Sequence, residues 1–173
     1  MRKMGVPMRM FTVKRAGAWA TLATVAAFLS LSCASGGTGS GSSNPTQIAF
    51  APELGVFLDQ MTRTDEGLYY HDLALGTGEE AGSNDRVTIH YNGFLPDGTP
   101  FDSSVARDEP IQFVLGMREV VQGWEIGVRG MKEGGRRLLV IPPDLGYGSR
   151  GLSGVVPGNA TLVFEVQLLE VGE

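Results

Sequence analysis

Residues 113–137 read FVLGMREVVQGWEIGVRGMKEGGRR. Val121, Trp124 and Val128 recur there at i, i+3 and i+7, which predicts a short amphipathic helix over residues 119–128. Gly123 and Gly127 each lower its intrinsic propensity by about 1 kcal/mol, so the helix depends on packing. The segments around it are patterned for strands. Residues 86–95 alternate, with Val87, Ile89 and Tyr91 on one face and Thr88, His90 and Asn92 on the other. Pro96-Asp97-Gly98 supplies a turn. Residues 67–75, 111–115 and 136–141 read as further strands. Residues 161–171 set Leu162, Phe164, Val166 and Leu168 against Val163, Glu165, Gln167 and Leu169. One short helix among about five or six antiparallel strands predicts an α+β domain, its helix covering one face of a curved sheet.

The chain is 173 residues long, enough for one domain with appendages. A hydrophobic content of 42% supports a real core. One Cys excludes an intramolecular disulfide framework and a multi-cysteine zinc site. The formal charge of −5 is unevenly spread. Arg2, Lys3, Arg9, Lys14 and Arg15 precede any acidic residue, and without them nine bases face nineteen acids, a net −10. An acidic domain argues against a nucleic-acid partner.

Residues 16–32 (AGAWATLATVAAFLSLS) carry no charge and follow those five bases. A basic start, an apolar run and small residues predict a secretory signal peptide over residues 1–32. The alternative is a membrane span, for which 17 uncharged residues rich in Ala, Ser and Thr are marginal. Leu29-Ser30-Leu31-Ser32-Cys33 resembles the lipobox of bacterial lipoproteins, whose Cys carries diacylglycerol. That resemblance makes Cys33 the expected lipidation site and membrane attachment. Ser30 departs from the commoner Leu, and ordinary cleavage after Ala34 is the rival reading. Residues 33–47 are Gly/Ser-rich and predict a flexible tether. Residues 48–66 form an N-terminal extension with apolar Ile48, Phe50, Leu54, Val56, Phe57 and Leu58, and a short docking helix is expected near 53–61.

Conventional catalytic chemistry is sparse. His71 and His90 lie in predicted strands without a nucleophile or ligand nearby in sequence, and no HExxH, GxSxG or EF-hand pattern occurs. Neither a metal nor a cofactor is expected. Aromatic residues gather instead near loops and strand ends. Taken singly, each reads as core.

Three stretches change that weighting: VTIHYNGFLPDGTPFDSS (87–104), the opening segment, and PPDLGYGSRGLSGVVPGNATLVFEV (142–166). Over residues 67–173 the chain closely resembles the FKBP-type peptidyl-prolyl cis/trans isomerases. The resemblance implies an antiparallel five- or six-stranded sheet wrapped around one short helix, with a prolyl pocket between them. It implies proline-containing polypeptide substrates and a monomer. Position by position, Tyr91, Asp102, Val121, Trp124, Tyr147 and Phe164 match the catalytic pocket. Phe101, Arg107, Ile111, Phe113, Val120, Val155 and Val156 match its substrate-binding surroundings. Trp124 matches the floor. Tyr91, Phe101, Phe113 and Phe164 match the walls. The Val121 N–H and Tyr147 O–H match donors to substrate carbonyls. Arg107 matches the partner of Asp102 and Tyr91, and Val155 and Val156 match the tip of an overhanging loop. Asp102 either braces Tyr91 or orients substrate.

Ile111 departs from a frequent aromatic, and Leu152 from a frequent His. The loop between Tyr147 and Val155 lacks the large insert of chaperone-active members. The rival functions are a non-catalytic proline-peptide module and a general chaperone of the cell envelope.

Overall fold

A computed structural model describes residues 44–172. The expected leader, Cys33 and the tether up to residue 43 lie outside the described residues.

Among the described residues, seven strands form one antiparallel sheet: β1 (Thr62–Arg63), β2 (Tyr69–Ala74), β3 (Arg86–Phe94), β4 (Pro100–Ser103), β5 (Ile111–Val114), β6 (Arg136–Ile141) and β7 (Leu162–Gly172). The order is β1-β2-β6-β7-β3-β4, and β5 also pairs with β3. The count exceeds the expected five or six for two reasons. The two-residue β1 pairs with Tyr69 and Tyr70, and β4 pairs with the end of β3.

The alternation read from the sequence is the alternation that packs. Val87, Ile89 and Tyr91 of β3 and Leu162, Phe164, Val166 and Leu168 of β7 all enter one buried core. Opposite Thr88/Ile89 the β7 register slips, with Glu170 and Leu168 as successive partners and Leu169 left over. This bulge reverses the parity, so Val171 turns inward.

Two α-helices occur among the described residues, α1 (Ser104–Arg107) and α2 (Gln122–Val128). The helix expected over residues 119–128 therefore starts later. Arg118 holds left-handed backbone (φ 58°), and Val121 stands outside the helix with extended ψ as its N-cap. Helix α2 lies very close to β6. A Cβ on Gly123 would come within 2.5 Å of Ile141, and one on Gly127 within 2.7 Å of Leu139. The two glycines that weaken the isolated helix are what let it approach the sheet.

Residues Leu138 and Val140 of β6 are buried although they point away from α2. The extension covers them: Phe50, Leu54, Val56, Leu58 and Met61 pack on Tyr69, Leu138, Val140 and Val163. The helix expected near 53–61 is instead two short 3₁₀ turns, Pro52–Leu54 and Leu58–Gln60, separated by Gly55 in left-handed conformation. Phe57, expected to pack, is 58% exposed. The last residues of the expected tether are ordered, because Asn44 caps a turn at Pro45–Gln47 through the Thr46 N–H.

Candidate functional site

Strand β3 carries the first site residue at a gap. Its outer edge pairs with β5 over Arg86–Ile89 and with β4 over Asn92–Phe94. Tyr91 falls between the two ladders. The fully buried Ser104, first residue of α1, fills the gap: the Tyr91 N–H donates to Ser104 Oγ at 2.8 Å. The His90 ring Nδ1 lies 3.0 Å from the same hydroxyl. Tyr91 is thereby held with its ring inward.

Around that ring a cavity of about 290 Å³ is lined by Tyr91, Ile111, Glu119, Val120, Val121, Trp124, Tyr147 and Phe164. Trp124 is 6% exposed and is the hub of the aromatic cluster. Its ring centroid lies 4.7 Å from Tyr91, 5.1 Å from Phe164 and 6.2 Å from Phe113. The contacts to Tyr91 and Phe164 are edge-on, a favoured arrangement for quadrupolar rings. Phe113 is buried behind Trp124. Phe101 packs edge-on against Phe164 at 5.4 Å. Gly93 makes that contact feasible, since a Cβ there would lie 2.8 Å from both the Phe101 and Phe164 rings. A glycine in an inward-facing row of a strand was the available signal.

Asp102 sits at the rim in a dense set of hydrogen bonds. The Tyr91 hydroxyl donates to its Oδ2, Arg107 Nη1 donates to its Oδ1, and the Ser103 N–H donates to Oδ1 at 2.9 Å. Arg107 Nη2 also donates to the Tyr91 hydroxyl oxygen at 3.2 Å. Partial burial by itself raises the Asp102 pKa. The hydrogen bonds from Tyr91 and Arg107 outweigh it and hold the carboxyl below its ordinary range. Burial, then the bond to Asp102, pushes the Tyr91 hydroxyl up. Burial, then the Asp102 charge, does the same at Tyr147. Their signs define a window. Stabilisation from Asp102 is present above its unfolded pKa and lost as pH falls through the lower folded value. Stabilisation from the two tyrosines is present below their unfolded pKa and lost as pH rises through the higher folded value. Between about pH 5 and pH 9 the three charge states are constant. A pH–rate profile of kcat/KM should therefore be flat there, and an Asp102→Asn variant should lose the acid limb.

The loop that delivers Val120 and Val121 is pinned by two glutamates that sequence reasoning missed. Buried Glu125 accepts from the N–H groups of Gly116 and Arg118, the latter at 2.9 Å. Glu119 accepts from the Val114 N–H at 3.0 Å. An acid immediately after the buried Trp124 was the only hint. Of the expected loop tip, Val155 is 44% exposed, but Val156 is buried in the core and its backbone pairs with Leu152. The structure places Val156 beneath the loop rather than at its tip.

The comparisons with known proteins fall on the residues just described. Residues 77–169 match the family model for FKBP-type peptidyl-prolyl cis-trans isomerase. An FK506-binding protein of Neisseria meningitidis serogroup B is 50% identical over 107 residues, 62% of this chain and 98% of that protein. The mouse peptidyl-prolyl cis-trans isomerase FKBP2 is 53% identical over 87 residues, 50% of this chain and 62% of that protein. The crystal structure of FkpA from Escherichia coli superposes with a TM-score of 0.60 at 42% identity, covering 65% of this chain and 52% of that one. A family match spanning every residue of the aromatic cavity, on a sheet-and-helix frame shared with a solved relative, makes this chain a member of the FKBP-type peptidyl-prolyl cis-trans isomerases.

Proposed function

We propose that this isomerase accelerates X–Pro isomerisation in exported polypeptides, from a position held at the membrane through Cys33. The observation that carries the catalytic part is the aromatic cavity of about 290 Å³ with Trp124 at its hub. The reaction rotates an amide across a barrier of about 18–20 kcal/mol and takes tens to hundreds of seconds unaided. No bond breaks, so no nucleophile is required.

The twisted transition state loses amide resonance and with it charge separation. A dry aromatic cavity favours that less polar state over the planar amide. The prolyl ring sits against Trp124, between Tyr91, Phe164 and Ile111. The Val121 N–H precedes α2, at a helix end where backbone donors are not used inside the helix. It and the Tyr147 hydroxyl hold the flanking carbonyls and so fix which bond turns. Asp102 and Arg107 hold the Tyr91 ring. This neutralised network keeps a carboxylate at the rim without an unpaired charge in the cavity.

The setting is supported by the five bases before residue 16, the uncharged run 16–32 and the lone Cys33. A single acyl chain anchors weakly, whereas the two or three of a lipidated Cys hold firmly. A protease-free assay on a proline peptide tests the catalysis; a rate equal to background overturns it. Intact mass of the native protein reads cleavage and acylation together. A Cys33→Ser chain should move from the membrane to the soluble fraction, and unchanged fractionation removes the anchor.

A further inference from the structure

Val120 lines the prolyl cavity and also a neighbouring larger groove of about 600 Å³. Three features of that groove point to a charged ligand.

Its accessible charges are mainly cationic. Arg118 and Arg129 line it, both exposed, and neither joins an ion pair among the described residues. Glu125 also lines it, but that carboxylate is buried and already accepts from two backbone N–H groups. Glu66 is the remaining acid, close enough to Arg129 to be influenced by its charge. Arg118 is therefore the cation left most available, beside the amide of Gln122.

The backbone at Arg118 is unusual for its side chain. Among the described residues, four non-glycine residues have positive φ: Asn84, Asp108, Arg118 and Asn159. Asn and Asp tolerate that conformation, and a long side chain does so at a cost. The Arg118 N–H bond to Glu125 at 2.9 Å holds the residue there. An arginine thus stands at the groove wall where glycine or asparagine would be easier.

The third feature is adjacency. A chain whose proline fills the cavity must leave it along the surface, and the groove shares Val120 with that cavity. We propose that the groove receives the residues flanking the substrate proline, and that Arg118, with Arg129 in the same lining, selects an acidic side chain there. Guanidinium groups suit a carboxylate through paired N–H donors. The proposal rests on the prolyl group occupying the adjoining cavity.

The test uses the full chain and proline peptides carrying Glu, Gln or Lys on one side of the proline or the other. At low ionic strength at least one Glu peptide should exceed its Gln counterpart by about 3- to 5-fold in kcat/KM. The Lys peptide should fall below both. The preference should shrink toward unity as added salt shortens the screening length to about 3 Å. Arg118→Gly should erase the Glu/Gln ratio while holding or raising the melting temperature, because glycine relieves the left-handed backbone. Arg118→Glu should reverse it in favour of Lys. Equal rates for Glu and Gln peptides, or a ratio that survives both substitutions, overturn the groove assignment and leave the isomerase standing. No catalysis of any peptide overturns the occupied prolyl cavity and the groove with it.

Discussion

Trp124→Ala should cost about 3–5 kcal/mol of stability, by emptying the centre of the aromatic cluster. The same change should lower kcat/KM about tenfold in the folded fraction, since the prolyl ring loses roughly 1–2 kcal/mol of apolar contact. The indole touches Tyr91, Phe164 and Phe113, so its removal loosens two cavity walls as well as the floor. Trp124→Phe separates these effects. The Trp124 Nε1–H is buried without a partner, and an unmet buried donor is costly. Phenylalanine removes that donor and keeps a ring. It should hold stability within about 1.5 kcal/mol of the parent while still lowering kcat/KM through its smaller face. Denaturant unfolding and isomerisation kinetics on both variants check this. Full activity in Trp124→Ala would remove the indole from the site.

The second large effect is expected far from the cavity. Arg137 is 8% exposed on β6, and its fork donates to Asp72 on β2 at 2.6 and 3.1 Å. Its Nη1 donates to the Gly127 carbonyl at 2.9 Å, and its guanidinium lies 4.6 Å from the Tyr70 ring. One side chain thus ties two strands to the C-terminal end of α2, the helix that carries Trp124. Arg137→Met strands the Asp72 charge and the Gly127 carbonyl together. Loss of about 3 kcal/mol is expected, at the lower end for a buried pair because Asp72 keeps some solvent contact. That corresponds to roughly 10 °C in Tm for a domain of this size. Arg137→Lys should fall between, because an ammonium cannot make the forked pair. Asp72→Asn added to Arg137→Met should recover part of the loss. A melting temperature unmoved by Arg137→Met would show that the clamp contributes nothing.

Neither partner of that clamp drew notice in the sequence, while nearly all of the cavity did. Tyr91, Phe164 and Trp124 sit on alternating strands or a helical stripe, so each shows an inward direction through its own neighbours. Strands β2, β3, β5, β6 and β7 and helix α2 were legible for the same reason: periods of 2 and 3.6 are properties of a few consecutive residues. The motifs around those residues also carried the family.

What needed the tertiary structure was every feature made by segments distant along the chain. Arg137 and Asp72 are 65 positions apart. Ser104 completes the edge of β3 at Tyr91 only because β4 and β5 leave a gap there. Gly123 and Gly127, read in sequence as weak points, are where α2 meets Ile141 and Leu139. The extension buries Leu138 and Val140 without a regular helix of its own. Periodic burial leaves its mark on adjacent residues and can be read directly. A hydrogen bond or a close approach across the fold has no period, and arises only when the packed elements bring its two sides together.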